Sequence, residues 1–256
     1  MKEYIAKYSA QNFDFYDLTA IVKKDWTVDF CGKLLDGKIN LDWSLPSGTR
    51  SEALDEESLS LLAKTNCKYL VYAPESGSEE TLKAIKKKII LKRMKRSVRT
   101  AIKNGIVVRT NLILGFPHET RKNILQTMKD QLEYAFMGVD DCTLSVFQPY
   151  PGSELFEELR AKGRIQLNDS YFDTLSSLSY GRFSLPDEIF CERVGNRELL
   201  FYKILGFFLF YVVSYLSRPL RILRTIKNVL FTDKSSTVFE QRIKDKLRRI
   251  KTAVSA

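Results

Sequence analysis

Five short apolar runs, each ending in a polar or Gly/Pro-rich cluster and followed by a helical pattern, most constrain the fold of this chain. The polar ends fall near Asp17, Pro46, Glu75, Gly115 and Gln148, at separations of 29, 29, 40 and 33 residues. That period is typical of βα units, and it predicts a parallel sheet with helices outside. Because every polar cluster follows a strand, the pattern favours a barrel-like α/β fold with a ligand at its upper rim. An open doubly wound sheet is the alternative, although its GxGxxG fingerprint is missing.

The clearest of these units is residues 68–81. Tyr69–Ala73 is a short apolar run that predicts a buried strand, and the strand stops at Pro74. Glu75-Ser76-Gly77-Ser78 then predicts a tight polar turn, with Ser78 as the cap of a helix. A carboxylate and two hydroxyls therefore lie where ligands bind in α/β folds. An ordinary βα loop with a good helix cap is the alternative.

The other elements follow from the same periodicities. Further strands are predicted at 13–16, 39–45, 106–114 and 142–147, and helices at 26–35, 79–87, 92–104, 120–136 and for about ten residues from Ser153. Residues 164–190 are predicted to be loop-rich and aromatic.

The net charge of +10 suits nucleic acid, an anionic membrane surface or anionic substrates. Much of the positive charge lies in residues 83–99 and 218–251, and the second stretch directly follows an apolar segment. That position favours a membrane surface. No helix combines basic residues with stacking aromatics in a recognisable module, so a nucleic-acid partner is not expected.

The apolar segment, Leu199–Leu216, has Lys203 as its only charge, and its eighteen residues are at the short limit for crossing a bilayer. Basic residues follow at once, as in juxtamembrane segments: Arg218, Arg221, Arg224 and Lys227. The pattern favours a helix that lies in the interface or is re-entrant. A buried helix of a larger protein is the alternative. The polar sequence beyond residue 232 predicts a surface helix.

The four cysteines, Cys31, Cys67, Cys142 and Cys191, form no CxxC or CxxxC pair. This spacing excludes a compact zinc or cluster motif made from these residues alone. They are predicted to be buried thiols in a reducing compartment. Because the amino terminus also lacks the apolar run of a signal peptide, we expect a cytoplasmic protein at the inner face of the membrane.

Three of the polar clusters resemble motifs of a known family. Glu75-Ser76-Gly77-Ser78, Gly115-Phe116-Pro117-His118-Glu119-Thr120 and Pro149-Tyr150-Pro151-Gly152-Ser153 occur in this order at βα spacing. Together with Phe15–Thr19 and Leu45–Arg50, they resemble the radical SAM enzymes that carry a cobalamin-binding domain upstream. The nearest group is the anaerobic magnesium-protoporphyrin monomethyl ester cyclase-like proteins. The resemblance covers about residues 10–160.

The resemblance implies that S-adenosylmethionine is a cofactor and that strand ends bind it. It places Glu75 at the ribose or the amino-acid part, with Ser76 and Ser78 nearby. Asp17 would lie near the methionine ammonium. His118 is expected to be a loop residue and not a base or a ligand.

Further contacts follow from the same resemblance. Arg109 or Asn111 would meet the methionine carboxylate, unless Arg109 instead pairs with the strand-end glutamate. The backbone of Leu114-Gly115 would lie beside the adenine, since only glycine allows so close an approach. The substrate would be bordered by Gln148 and Tyr150.

The chain departs from the family at the iron–sulfur site. Such enzymes hold a [4Fe–4S] cluster through CxxxCxxC, and this sequence has no such motif. The resemblance therefore implies the C-terminal part of a radical SAM enzyme, inactive alone and completed by a missing N-terminal segment or a cluster-bearing partner chain. Cobalamin is possible in the full-length protein. The expected reaction is radical methylation or cyclisation of a hydrophobic or tetrapyrrole-type substrate; the alternative is a non-catalytic, membrane-associated scaffold derived from such a barrel.

These expectations divide the chain into four parts. Residues 1–163 are predicted as a partial (β/α) TIM-like radical SAM barrel of parallel strands, and residues 164–198 as a connector. Residues 199–232 are predicted as an apolar and then basic membrane-contacting helical segment, and residues 233–256 as a polar basic tail.

Overall fold

A five-stranded parallel sheet is the centre of the computed structural model, which describes residues 1–16, 21, 23–49, 54–178, 188–232 and 235–254. The order of the strands in the sheet is their order in the sequence, and every neighbouring pair is parallel. The predicted α/β fold with a partial barrel of parallel strands is therefore confirmed. The strands are β1 (Asn12–Asp14), β2 (Asp42–Thr49), β3 (Cys67–Glu75), β4 (Val107–Leu114) and β5 (Asp141–Val146).

Helices follow the strands along the chain and continue after the last one. In the described ranges they are α1 (Lys2–Tyr8), α2 (Lys24–Asp36), α3 (Glu56–Lys64), α4 (Glu79–Ala84), α5 (Leu91–Lys103), α6 (Arg121–Met137), α7 (Glu154–Ala161), α8 (Asp169–Leu178), α9 (Asn196–Ser217), α10 (Leu220–Phe231) and α11 (Val238–Val254).

The two faces of the sheet differ, as the alternation along β4 shows. Even-numbered residues such as Val108 and Leu112 are buried beneath the helices, whereas odd-numbered residues such as Arg109 and Asn111 are partly exposed. The same alternation continues in β5. Since successive side chains of a strand point to opposite faces, the outer face belongs to the core and the inner face is accessible.

Two strand and helix ends differ from the sequence prediction. β2 continues through Pro46 to Thr49, although Pro46 was expected to close it. The ladder to β3 shifts register between Leu45 and Thr49, so the proline lies where it disturbs no regular hydrogen bond. α4 ends at Ala84, earlier than predicted, and α1 was not predicted.

The connector predicted as loop-rich contains a helix. The side chain of Asn168 accepts a hydrogen bond from the Tyr171 amide at 2.9 Å, as a helix cap does, and α8 follows. Tyr171 packs with Phe156 and Phe190 in a small aromatic core beside the sheet. The prediction of an aromatic loop was therefore wrong for α8; residues 179–187 lie outside the described part of the chain.

α9 packs along α6 and β5. Gly206 permits the close approach, because a Cβ there would lie 2.6 Å from a methyl carbon of Leu144 and 2.7 Å from the side-chain oxygen of Gln131. The hydroxyl of Tyr211 donates to the carboxylate of Asp141 at 2.6 Å. Among the described residues, α9 is the one helix that is long and apolar enough to cross a membrane. Its contact with a membrane stays a prediction.

The arginines after α9 bind the barrel itself. Arg218 donates to the last two carbonyl groups of α6 at 2.9 and 2.7 Å, and Arg221 donates to the next two at 2.6 and 2.8 Å. Arg221 and Arg224 also pair with Asp140 at 3.0 and 2.9 Å. Positive charge is favourable at a helix carboxyl end. These three side chains are engaged within the fold, and the role of this basic segment at a membrane stays a prediction.

Candidate functional site

A cleft of about 260 Å³ opens on the inner face of the sheet, where β3, β4 and β5 end. Parallel neighbouring strands bring their carboxyl ends together, which explains why residues distant in sequence meet there. Five residues predicted from the sequence line the cleft: Glu75, Arg109, Asn111, Gln148 and Tyr150. The other lining residues are Leu112, Ile113, Thr143, Ser145 and Val146.

Glu75 is the last residue of β3 and has an unusual backbone conformation. Its φ of 66° is in the left-handed region, and the pairing with β4 shifts register between Tyr72 and Glu75. Such an irregularity turns a side chain out of the regular alternation, and a non-glycine residue at positive φ is a local cost of about 1 kcal/mol or more. The carboxylate lies 3.0 Å from the ammonium of Lys87. The turn therefore presents the Glu75 side chain, paired with Lys87, at the cleft.

Arg109 and Asn111 lie on the inner face of β4. The guanidinium of Arg109 donates to the hydroxyl of Thr143, at 3.0 Å from its Nε. Glu75 pairs with Lys87, so the alternative that Arg109 pairs with Glu75 is wrong. The side-chain oxygen of Asn111 is buried and accepts no hydrogen bond from the described residues. A buried acceptor without a partner is costly, so a ligand donor would stabilise it.

Thr143 and Ser145 were not predicted as part of the site. Each lies directly beside a cleft residue of β4, in the pairs Asn111–Thr143 and Ile113–Ser145. The signal was present in the sequence: the two hydroxyl residues alternate with the buried Leu144 along a predicted strand, which puts both on one face.

Ser76 and Ser78 are placed differently from Glu75. Both are fully buried. The Ser76 hydroxyl lies 2.9 Å from that of Thr127, and the Ser78 hydroxyl accepts from the Asn123 amide at 2.9 Å. Ser78 also caps α4, as predicted. These bonds hold the turn against α6, and a role in cofactor binding stays a prediction for both serines.

Gly115 lies at the end of β4 with a φ of 84°. A Cβ there would approach a methyl carbon of Leu199 at 3.1 Å, so both the conformation and α9 require glycine. Its amide donates to the Glu119 carboxylate at 2.7 Å, while the carbonyl of Leu114 accepts from the Phe147 amide at 2.8 Å. The contact between this backbone and adenine stays a prediction.

Glu119 holds the loop after β4 and was not predicted. Its buried carboxylate accepts from the amides of Gly115 and Phe116 and, at 3.1 Å, from the hydroxyl of Thr81 at the start of α4. Burial raises its pKa to about 7, against the opposing effect of these hydrogen bonds. The carboxylate thereby joins the turn after β3 to the turn after β4.

The remaining predicted residues are at the edge of the site or outside the described chain. The buried Gln148 donates from its amide to the Glu188 carbonyl at 2.9 Å, and Tyr150 is exposed. Burial lowers the pKa of His118, whose Nε2 has no partner among the described residues. Asp17 lies outside the described residues.

The cysteines do not fit a [4Fe–4S] cluster. Cys67 and Cys142 lie at the amino ends of β3 and β5, away from the cleft, and burial raises their pKa to about 12. Cys31 is in the core, and Cys191 is in the segment before α9. No group of three His, Cys, Asp or Glu side chains in the described part of the chain could hold a metal ion. The ligands of such a cluster are thiolates, and burial disfavours the thiolate form of these cysteines.

Comparison with known proteins agrees with the fold. Residues 12–130 match the model of the radical SAM superfamily. An uncharacterized methyltransferase of Pyrococcus horikoshii is 26% identical over 151 residues, which cover 59% of this chain and 32% of the relative. The anaerobic magnesium-protoporphyrin IX monomethyl ester cyclase of Rubrivivax gelatinosus is 24% identical over 135 residues, covering 53% and 24%.

A solved structure shares the architecture. The radical S-adenosylmethionine methyltransferase TsrM from Kitasatospora setae, with cobalamin and a [4Fe–4S] cluster bound, superposes with a TM-score of 0.52. Its identity is 16%, over 63% of this chain and 30% of TsrM. The chain spans about a quarter to a third of the length of the two curated relatives. Residues 12–130 therefore carry a likeness to the radical SAM superfamily, and the parallel half barrel agrees with it.

Proposed function

We propose that this chain provides the S-adenosylmethionine-binding part of a radical SAM barrel, at the cleft between β3, β4 and β5. The observation that carries the proposal is the buried side-chain oxygen of Asn111, which has no partner among the described residues; Asn111 lines the cleft together with Glu75 and Arg109. S-adenosylmethionine offers an ammonium, a carboxylate and ribose hydroxyls, which complement these three side chains.

Each side chain has a distinct role in the proposal. Glu75 accepts hydrogen bonds from the ribose hydroxyls or the ammonium, because a carboxylate accepts several donors at once. Arg109 binds the methionine carboxylate, since Thr143 orients its guanidinium without neutralising it. Asn111 accepts from the remaining donor of the amino-acid part. Gln148 and Tyr150 border the substrate.

Radical chemistry requires a group that this chain does not hold. When bound, a [4Fe–4S] cluster supplies the electron for reductive cleavage of S-adenosylmethionine. Since the four cysteines do not fit it, the proposed source is thiolates outside this chain, in an upstream segment or a partner chain. The chain alone is expected to bind the cofactor and not to cleave it.

The proposed reaction of the complete enzyme is radical methylation or cyclisation. It rests on the methyltransferase and cyclase names of the relatives, which describe those proteins. Cobalamin, which TsrM binds, is proposed for the full-length protein only.

Equilibrium dialysis of the 256-residue chain with labelled S-adenosylmethionine tests the proposal. Glu75→Gln and Asn111→Ala should each weaken binding about tenfold or more, because a hydrogen bond to a charged group is worth about 1.5–3 kcal/mol. Glu79→Gln, at the exposed start of α4, is the matched control and should bind like the wild type. Absence of binding, or equal binding by all four proteins, would contradict the proposal.

A second experiment addresses the missing cluster. Iron and sulfide are added anaerobically to the chain, with and without a peptide segment that carries CxxxCxxC. Cluster absorbance should appear only with the added cysteines. A stable [4Fe–4S] cluster on this chain alone would show that its own thiols suffice.

A further inference from the structure

α10 has its polar side inward and its apolar side outward. Four polar residues form one helical stripe, and all of them bond to the rest of the protein: Arg221, Arg224, Thr225 and Asn228. Six large apolar residues outside this stripe are between 43% and 77% exposed: Leu220, Ile222, Leu223, Ile226, Leu230 and Phe231. Ile222, Leu223, Ile226 and Leu230 lie opposite the stripe, and Leu220 and Phe231 flank it at the two ends of the helix. A surface helix in water has the reverse arrangement. We name these six residues the outer face of α10.

α10 cannot rotate about its axis to bury the outer face. The side chain of Arg221 is only 10% exposed and is bonded to carbonyl groups after α6. Thr225 and Asn228 donate to the fully buried carboxylate of Glu240 in α11, at 3.0 and 2.9 Å. Rotating α10 would leave these charged and polar groups without partners, at a cost that apolar burial does not offset. The outward orientation of the apolar residues is therefore fixed by the fold.

The charges around the outer face identify its partner. α10 contains no acidic residue, and the one acid of α9, Glu198, is bound to Arg121 at 2.6 Å. Lys227 lies exposed within the outer face, four residues after Leu223 and three before Leu230. A second copy of this surface would bring like charges together, whereas an anionic lipid surface complements them.

We propose that the outer face of α10 lies on an anionic phospholipid bilayer and holds the protein at the membrane surface. α10 then lies in the plane of the interface, with Lys227 at the headgroup phosphates and the leucines among the acyl chains. The neighbouring α9 also exposes large apolar side chains, at Phe201, Ile204 and Phe208. α9 does not cross the bilayer in this arrangement, because its other side is packed on α6 and β5. The attachment is independent of cofactor binding.

Vesicle flotation of the full chain tests the proposal. The probes are vesicles of phosphatidylcholine alone and of phosphatidylcholine with phosphatidylglycerol in equal parts. The wild type should float with the anionic vesicles and more weakly with the neutral ones. The double variant Leu223→Ser/Leu230→Ser should lower the partition coefficient about tenfold or more, since each leucine loses apolar burial. Ile90→Ser/Leu125→Ser, at comparably exposed positions just before α5 and in α6, should leave it unchanged.

A charge variant separates the electrostatic contribution to membrane binding from the apolar contribution. Lys227→Glu should lower partition about tenfold on anionic vesicles and little on neutral ones, because one surface cation is worth about 1 kcal/mol and its reversal adds repulsion. Circular dichroism verifies that each variant is folded. A wild type that binds neither vesicle type, or a double variant that binds undiminished, would overturn the proposal. Sedimentation that shows a wild-type dimer, a monomeric double variant and no vesicle binding would assign the outer face to a second copy.

Discussion

Glu119 gives the sharpest prediction about the stability of the site. Its carboxylate is fully buried and joins the turns after β3 and β4 through hydrogen bonds from Gly115, Phe116 and Thr81. Glu119→Gln retains the shape and removes the charge. One side-chain oxygen can still accept from both amides, so the variant is expected to fold.

The size of the effect on the free energy of unfolding follows from the pKa of Glu119. Burial raises it from 4.5 to about 7, so the folded protein holds the proton more tightly than the unfolded chain. Such a group stabilises the fold below pH 4.5, and this contribution is lost as the pH rises through about 7. Each pKa unit is worth about 1.4 kcal/mol, which gives a loss of about 3 kcal/mol across this interval. The glutamine variant does not titrate and escapes this loss.

Urea unfolding of both proteins between pH 4 and pH 8 measures the effect. The free energy of unfolding of Glu119→Gln, relative to the wild type, should rise by about 3 kcal/mol as the pH rises from 4.5 to above 7. Glu79→Gln, an exposed position, controls for the substitution itself. If the two stability curves run parallel over this range, Glu119 ionises in the fold as it does in the unfolded chain, and the reasoning is refuted.

Three further predictions concern the packing and the thiols. Arg221→Ala should lower the free energy of unfolding by about 2–3 kcal/mol, because it removes hydrogen bonds to two carbonyl groups and one of the two arginine partners of Asp140. Lys227→Ala, at an exposed position of the same helix, should change it by less than about 0.5 kcal/mol in a denaturant titration. Gly138→Ala should be destabilising by more than about 1 kcal/mol in the same assay, since its φ is 106° and a Cβ would lie 2.4 Å from the Arg218 guanidinium; an unchanged midpoint would contradict the geometry. In the native protein at neutral pH, a thiol reagent should modify Cys191 before the buried Cys31, Cys67 and Cys142, as mass spectrometry of the labelled peptides would show; equal labelling of all four would mean that the core opens readily.

The sequence predicted the location of the site better than the details of its geometry. The polar strand ends at Glu75 and Gln148 are visible in the local sequence, whereas Arg109 and Asn111 were predicted from the resemblance to radical SAM enzymes; all four line one cleft. Thr143 and Ser145 alternate with buried residues along β5, but they were not predicted as part of the site. The left-handed conformation of Glu75 was not predictable, because the shift in pairing with β4 imposes it from outside the local sequence.

The partners of the basic residues in the C-terminal helices could not be predicted from the sequence either. A long apolar helix followed by arginines has the same pattern whether the arginines bind lipid or protein. Here Arg218 and Arg221 bind the carbonyl groups at the end of α6, more than eighty residues earlier in the chain. Such long-range partners leave no local signal, and the inverted orientation of α10 follows from them.

Hydrogen–deuterium exchange of the 256-residue chain, with and without saturating S-adenosylmethionine, tests the central claim most directly. The account predicts added protection in peptides that contain Glu75, residues 109–115 and residues 143–150, and none in α10 or α11. Protection elsewhere, or no change anywhere on the inner face of the sheet, would contradict the assignment of the cleft.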